Sequence, residues 1–263
     1  MAYYLYALCH KNAPQPEPSW PGGVASDGRF LYIRTDMIAG LVQEVDLSEF
    51  EMGVLKEKLQ RPDWLEAKAR AHDEVIKHLF TKVDTVVPVR FCTVFRTEEG
   101  VRCLLDKQAD VILSDLARLH ASAEWDIKLY ANEKHRLKMA LQALGEVSKA
   151  GGGIEYLRRK QRQGKLVNEV KEWIRTQASD CYNCLSELSR EYRAKPCLAC
   201  DDDERMALNV VYLVARSIEQ KWLEKLQEIA RRLNGGGMRM VVSGPWPPYS
   251  FVTPVVERDE PNE

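Results

Sequence analysis

The chain has 263 residues, of which 45% are hydrophobic and 29% charged, values that exclude wholesale disorder and leave room for two domains of ordinary size. Its 38 Lys+Arg against 39 Asp+Glu give a formal net charge of −1, so no global field recruits nucleic acid or an anionic membrane. No run approaches the roughly 18 apolar residues of a membrane span, and the apolar start is too short and lacks the basic flank of a secretory signal, which predicts a soluble, cytoplasmic chain.

In chain order, Tyr3–Cys9 reads as a first β-strand. The stretch from Asn12 to Gly28 carries Pro14, Pro16, Pro18 and Pro21 with Gly22 and Gly23, a composition that breaks regular structure and predicts a long connection. Phe30–Ile33 and Ile38–Val42 are aromatic or β-branched and flank a Thr35-Asp36 turn signal, the pattern of a hairpin. Asp63, with Glu66 three residues on, predicts a capping box opening a helix whose apolar face is Leu65, Ala69, His72, Ile76 and Leu79. Asp84–Phe95 suits a strand, in which Pro88 demands an edge position, a bulge or a break. Thr97 caps a predicted helix bearing Val101, Leu105, Ile112, Leu116 and Leu119, and Trp125–Tyr130 alternates as a strand.

From Glu133 the sequence turns to long helical text, interrupted at Gly151-Gly152-Gly153. Val167, Val170, Ile174, Ala178, Cys181, Leu185, Leu188 and Tyr192 then follow steps of three and four, a heptad-like seam ended by Pro196. Leu208–Val214 predicts a strand, Ser217 with Gln220 a cap for the helix of Ile218, Trp222, Leu226, Ile229 and Leu233, and Met238–Val242 a last strand. The expected architecture is α+β in two domains, 1–125 with helices on a sheet and 126–263 with a small sheet and long, partly coiled-coil-like helices.

Several constellations carry possible chemistry. In a cytoplasmic chain the seven cysteines are thiols or metal ligands rather than disulfides, and Cys181-x2-Cys184 and Cys197-x2-Cys200 have the spacing of two zinc hooks. A zinc-binding regulatory or interaction module is therefore an alternative function, but Cys181 sits in the apolar seam and the hooks lack turn residues, which favours packed thiols and no cofactor. His72 lies on an apolar helix face, the place of a hydrogen-bonded core residue rather than a general base, and no other residues assemble a catalytic set, so the chain is read as non-enzymatic. Arg158, Arg159, Lys160 and Arg162 form a basic run, a solvated helix face that offers a candidate contact patch for a protein. Pro245, Trp246, Pro247 and Pro248 stiffen their own backbone and aim Trp246, Tyr249 and Phe251 in fixed directions. Such a segment is either a displayed ligand for an aromatic groove or a strap packing its rings on the last sheet, and burial of large rings favours the strap.

With these residues in view, the chain resembles the gas vesicle protein F/L family. The resemblance rests on Tyr4-Leu5-Tyr6-Ala7, Trp64-Leu65, Ala71-His72, Val87-Pro88-Val89-Arg90-Phe91, Thr93-Val94-Phe95, Glu98–Val101, Gly153–Arg159, Leu208-Asn209, Tyr212-Leu213-Val214 and, most specific, Gly244–Phe251. These matches run in the family's order over nearly the whole length. Cys92 departs from the pattern, which has Gly there, and the CxxC cysteines are not part of it. The resemblance implies two α+β domains, the first ferredoxin-like, with no catalytic residues to carry over. It also implies a minor component or assembly factor of gas vesicles, the buoyant protein shells of microbial cells. The expected partners are the apolar shell subunit, kept from aggregating during nucleation, and other accessory proteins.

Overall fold

The structure, a computed structural model, describes residues 1–17, 20–143, 153–198 and 204–255, without the side chains of residues 52 and 153–160. The chain divides into two compact units, Met1–Ala123 with Trp246–Glu263, and Glu124–Pro245. The chain therefore leaves the first unit once and returns to it, whereas the sequence predicted a single boundary at 125/126.

The first unit is built around β1 (Ala2–His10), whose apolar residues on both faces make it a central strand: Tyr4 through Cys9 are fully buried. β2 (Phe30–Arg34) and β3 (Ile38–Val45) form the expected hairpin, and β3 pairs antiparallel with β1 with a register shift between Leu5 and Ala7. The predicted strand over Asp84–Phe95 is two short pieces, β4 (Val87–Pro88) and β5 (Val94–Phe95), both on the free edge of β1. Two features divide it. Pro88 cannot donate inward to a continuing ladder, and Cys92 takes the left-handed conformation, φ 64°. The order β2-β3-β1-β4 is that of a ferredoxin-like β-α-β-β-α-β sheet in which the first crossover helix is replaced by the proline- and glycine-rich connection.

The second crossover is helical: α1 (Leu47–Phe50), α2 (Met52–Lys58) and α3 (Pro62–Lys82). Asp63 is not the cap of α3; Arg61 holds that position with no side-chain bond, and Pro62 starts the helix, where a missing N–H costs nothing. Thr97 does cap α4 (Glu98–Lys107), accepting from Gly100 N at 3.1 Å. The predicted single helix breaks at Gln108 (φ −105°, ψ 15°), giving a separate α5 (Ala109–Arg118).

In the second unit the sheet order is β7-β8-β6-β9, from β6 (Ser122–Ala131), β7 (Glu191–Ala194), β8 (Arg205–Ala215) and β9 (Met238–Trp246). α6 (Glu133–Ala143) packs on α7 (Gly153–Ser186), and α7 and α8 (Glu219–Asn234) pack on β8. The heptad-like seam is the buried face of α7 from Val170 through Ile174, Ala178 and Cys181 to Leu185. Tyr192 leaves it, because α7 ends at Ser186 and Tyr192 pairs with Tyr212 in the unpredicted strand β7. Trp222 of α8 is fully buried between Trp125 and Tyr212, its indole N–H shared between Leu185 O and Ser189 Oγ. Ser217 does not cap α8; Ile218 stands at that position without a side-chain bond.

Candidate functional site

The proline-aromatic segment was the most specific of the motifs that carry the family resemblance. β9 ends at Trp246, and from there the segment packs on helices of the first unit. Tight turns shape it, with Tyr249 N donating to Pro247 O at 2.7 Å and Phe251 N to Pro248 O at 3.0 Å. The Trp246 ring lies under the Lys77 ammonium, 4.2 Å from the ring centroid. Tyr249 donates its hydroxyl to Asp73 Oδ1 at 2.6 Å, and Asp73 also pairs with Lys77 one turn along α3. Phe251 is fully buried.

Beyond the rings, one carboxylate anchors the strap. Asp115 of α5 is 2% exposed and accepts from Thr253 N at 2.6 Å, from Thr253 Oγ1 at 3.2 Å and from Arg118 at 2.6 Å. Arg118 in turn donates to Phe251 O at 2.6 Å. A buried carboxylate is stable only with such partners, so strap and helix depend on each other. Sequence reasoning missed Asp115, Asp73 and Lys77. The available signal was an aspartate set between Ile112 and Leu116 on an apolar helix face.

The remaining candidates are dispersed. Cys181 is buried in α7, its thiol pushed up to about 12 chiefly by desolvation, Cys184 is half-buried and Cys197 exposed, while Cys200 lies outside the described residues. Among the described residues no group of three or more His, Cys, Asp or Glu is placed to hold a metal ion. The side chains of Arg158, Arg159 and Lys160 lie outside those described, and Arg162 is exposed on α7. His72 accepts from or donates to Tyr4 Oη at 3.0 Å through Nδ1 and donates to the Val89 carbonyl, and desolvation lowers its pKa to about 4. It holds β1, α3 and the loop after β4 together inside the core. A cavity of about 250 Å³ lined by His10, Lys82, Thr85 and His120 has its hydroxyl, that of Thr85, on a residue only 3% exposed. No helix of the described residues is long and apolar enough to cross a membrane.

Two antiparallel sheets, each with helices of its own unit, and a C-terminal strap that belongs to the first unit define a class of two-unit α+β protein. The model of the gas vesicle synthesis protein GvpL/GvpF family matches residues 2–253, and the chain belongs to this family. Gas vesicle protein L of Streptomyces sp. (strain CB03234) is 31% identical over 89% of this chain and 86% of its own length. Gas vesicle protein F of the same strain is 25% identical over 96% of this chain and 100% of its own. The crystal structure of gas vesicle protein GvpF from Anabaena sp. PCC7120 superposes with a TM-score of 0.67 at 18% identity, covering 96% of each chain. That of GvpF from Microcystis aeruginosa gives 0.64 at 19%, covering 96% of this chain and 99% of the other. The chain is thus a gas vesicle family protein with the fold of the solved members.

Proposed function

We propose that this chain is an assembly factor or minor structural component of gas vesicles that binds the apolar shell subunit and limits its aggregation during nucleation. The family match over residues 2–253 carries this reading. The physical rationale is that exposed apolar surface associates without direction unless another surface covers it first. The chain works by binding rather than by catalysis, in the cytoplasm and at the vesicle, alongside other accessory proteins. Apolar side chains available for such contact include Val54, Leu59 and Leu65, exposed at 39%, 39% and 36% on α2, its end and the start of α3.

The test is a pull-down of the shell subunit at low and high salt, with an α+β protein of similar size as control. An apolar contact persists when salt screens charges beyond a few ångströms. Retention at both salts supports the reading. Retention only at low salt points instead to the basic run at Arg158, Arg159, Lys160 and Arg162, and no retention above the control removes the shell subunit as direct partner.

A further inference from the structure

Positive charge in this chain is gathered on one pair of helices. α6 and the start of α7, residues 133–143 and 153–165, carry eight of the 38 Lys+Arg but only two of the 39 Asp+Glu, Glu133 and Glu155. Glu133 already pairs with Arg205 of β8 at 3.3 Å. The chain as a whole has a formal net charge of −1, so this stretch stands apart from the rest.

The same stretch is helix without a core of its own. α6 buries none of its side chains, residues 161–169 of α7 bury none either, and the buried seam of α7 begins at Val170. At about 1.5 Å per residue, about 25 Å of α7 precedes that point. α6 packs on α7, with the Arg136 guanidinium 4.0 Å from the Trp173 ring centroid. Leu137, Ala140 and Leu141 fall on one side of α6 at helical spacing and stay half-buried, as do Leu166 and Val167 of α7. Lys134 and Lys138, one turn apart and exposed, border the α6 stripe, and the exposed Lys165 precedes Leu166. Glycine weakens a helix interior, yet Gly164 stands there, and an added Cβ would meet nothing within 4 Å. Two helices leave such apolar residues half-covered, and a third laid along them completes the cover.

We propose that α6 and the start of α7 bind an acidic amphipathic helix of a partner protein. Its apolar stripe covers Leu137, Leu141, Leu166 and Val167, and its carboxylates face the bordering cations. Charge complementarity names the occupant. A phosphate backbone would meet the cations but leave the leucines in water, and neither α6 nor residues 161–169 carry a Phe, Tyr or Trp on which a base would stack. A membrane surface takes up one open apolar face, whereas these apolar residues are already partly covered. The contact is salt-sensitive where the apolar contact with the shell subunit is not, and it does not rest on that reading.

The experiment titrates the full chain with labelled helical peptides, read by fluorescence anisotropy at low and high salt. The probe has Leu at the a and d heptad positions flanked by Glu; one control replaces Glu by Lys, and another replaces Leu by Ser. A single-stranded DNA oligonucleotide and vesicles containing phosphatidylserine complete the set. The Glu–Leu peptide is expected to bind at low salt and to weaken more than about tenfold at high salt, with both controls at least about tenfold weaker throughout. Lys138→Glu combined with Lys165→Glu should raise its Kd by more than about tenfold, in a protein that melts like the wild type because both side chains are exposed. No binding of the Glu–Leu peptide, equal binding of either control, or a Kd that the double variant leaves unmoved overturns the proposal. Binding of the oligonucleotide or the vesicles as tight as that of the peptide, and lost in the double variant, assigns the surface to phosphates and equally overturns it.

Discussion

His72 is where the chemistry of one side chain becomes a property of the fold. Its folded pKa, about 4, lies below the ordinary value of 6.5, because burial penalises the imidazolium. Above pH 6.5 both folded and unfolded chains hold it neutral and it contributes no pH dependence. As pH falls from 6.5 towards 4 the unfolded chain takes up the proton first, so stability declines, by about 3 kcal/mol in all, and then levels off. Comparison of wild type with His72→Gln by denaturant unfolding at several pH values checks this: the variant should lose that part of the slope. The sequence told that His72 was a core residue, since its helical spacing with Ile76 and Leu79 is local information. It did not tell which groups would meet the ring, because Tyr4 arrives from a strand 68 residues away and the Val89 carbonyl from the loop after β4. Cys92 shows the opposite case. The family resemblance expects glycine there, and the φ of 64° supplies the reason, since a side chain at that conformation is strained.

At the scale of elements, two irregular segments are held as firmly as the helices. The connection between β1 and β2 is organised by Gln43, fully buried on β3. Its Nε2 lies 2.9, 2.7 and 2.9 Å from the carbonyls of Gly22, Ala25 and Gly28, and its Oε1 accepts from Tyr6 Oη at 2.7 Å. At Gly23, φ 69°, an added Cβ would fall 2.5 Å from Gln43 Oε1, so the turn admits only glycine. Gln43→Ala should therefore destabilise the first unit by about 1–3 kcal/mol, the cost of leaving buried polar groups unpartnered, and open the 11–29 segment to proteolysis. Limited digestion that leaves this segment as resistant as in wild type would contradict the assignment.

The strap makes a graded prediction. Phe251→Ala removes a fully buried ring and should cost about 3–5 kcal/mol, whereas Trp246→Ala, losing a partly exposed cation–π contact, should cost about 1 kcal/mol or less beyond its packing. Equal losses in thermal or denaturant unfolding would show that the rings are not held as described. The sequence favoured packing of these rings over display but gave no hint of these partners: Asp73, Lys77 and Asp115 lie on helices more than a hundred residues away, and no local pattern pairs them with Tyr249 or Thr253. Strand β7 was hidden for a related reason. Tyr192 satisfied the helical spacing of the seam, while its pairing with Tyr212 depends on a tertiary partner.

For the whole molecule, fold class and family were legible because they rest on features distributed along the chain: apolar periodicities, strand composition and the order of the matching motifs. The route of the chain was not legible. A return of the last segment to the first unit leaves no trace in composition, since the burial of Pro247, Pro248 and Phe251 does not say which element covers them. In the proposed function this chain covers the apolar surface of the gas vesicle shell subunit before assembly. Its most direct test is co-expression of the two, measuring the fraction of shell subunit that stays in the supernatant after centrifugation, against co-expression with an unrelated α+β protein of similar size. A clearly larger supernatant fraction, with the two chains co-purifying, is the predicted result. An unchanged fraction with no co-purification would contradict it.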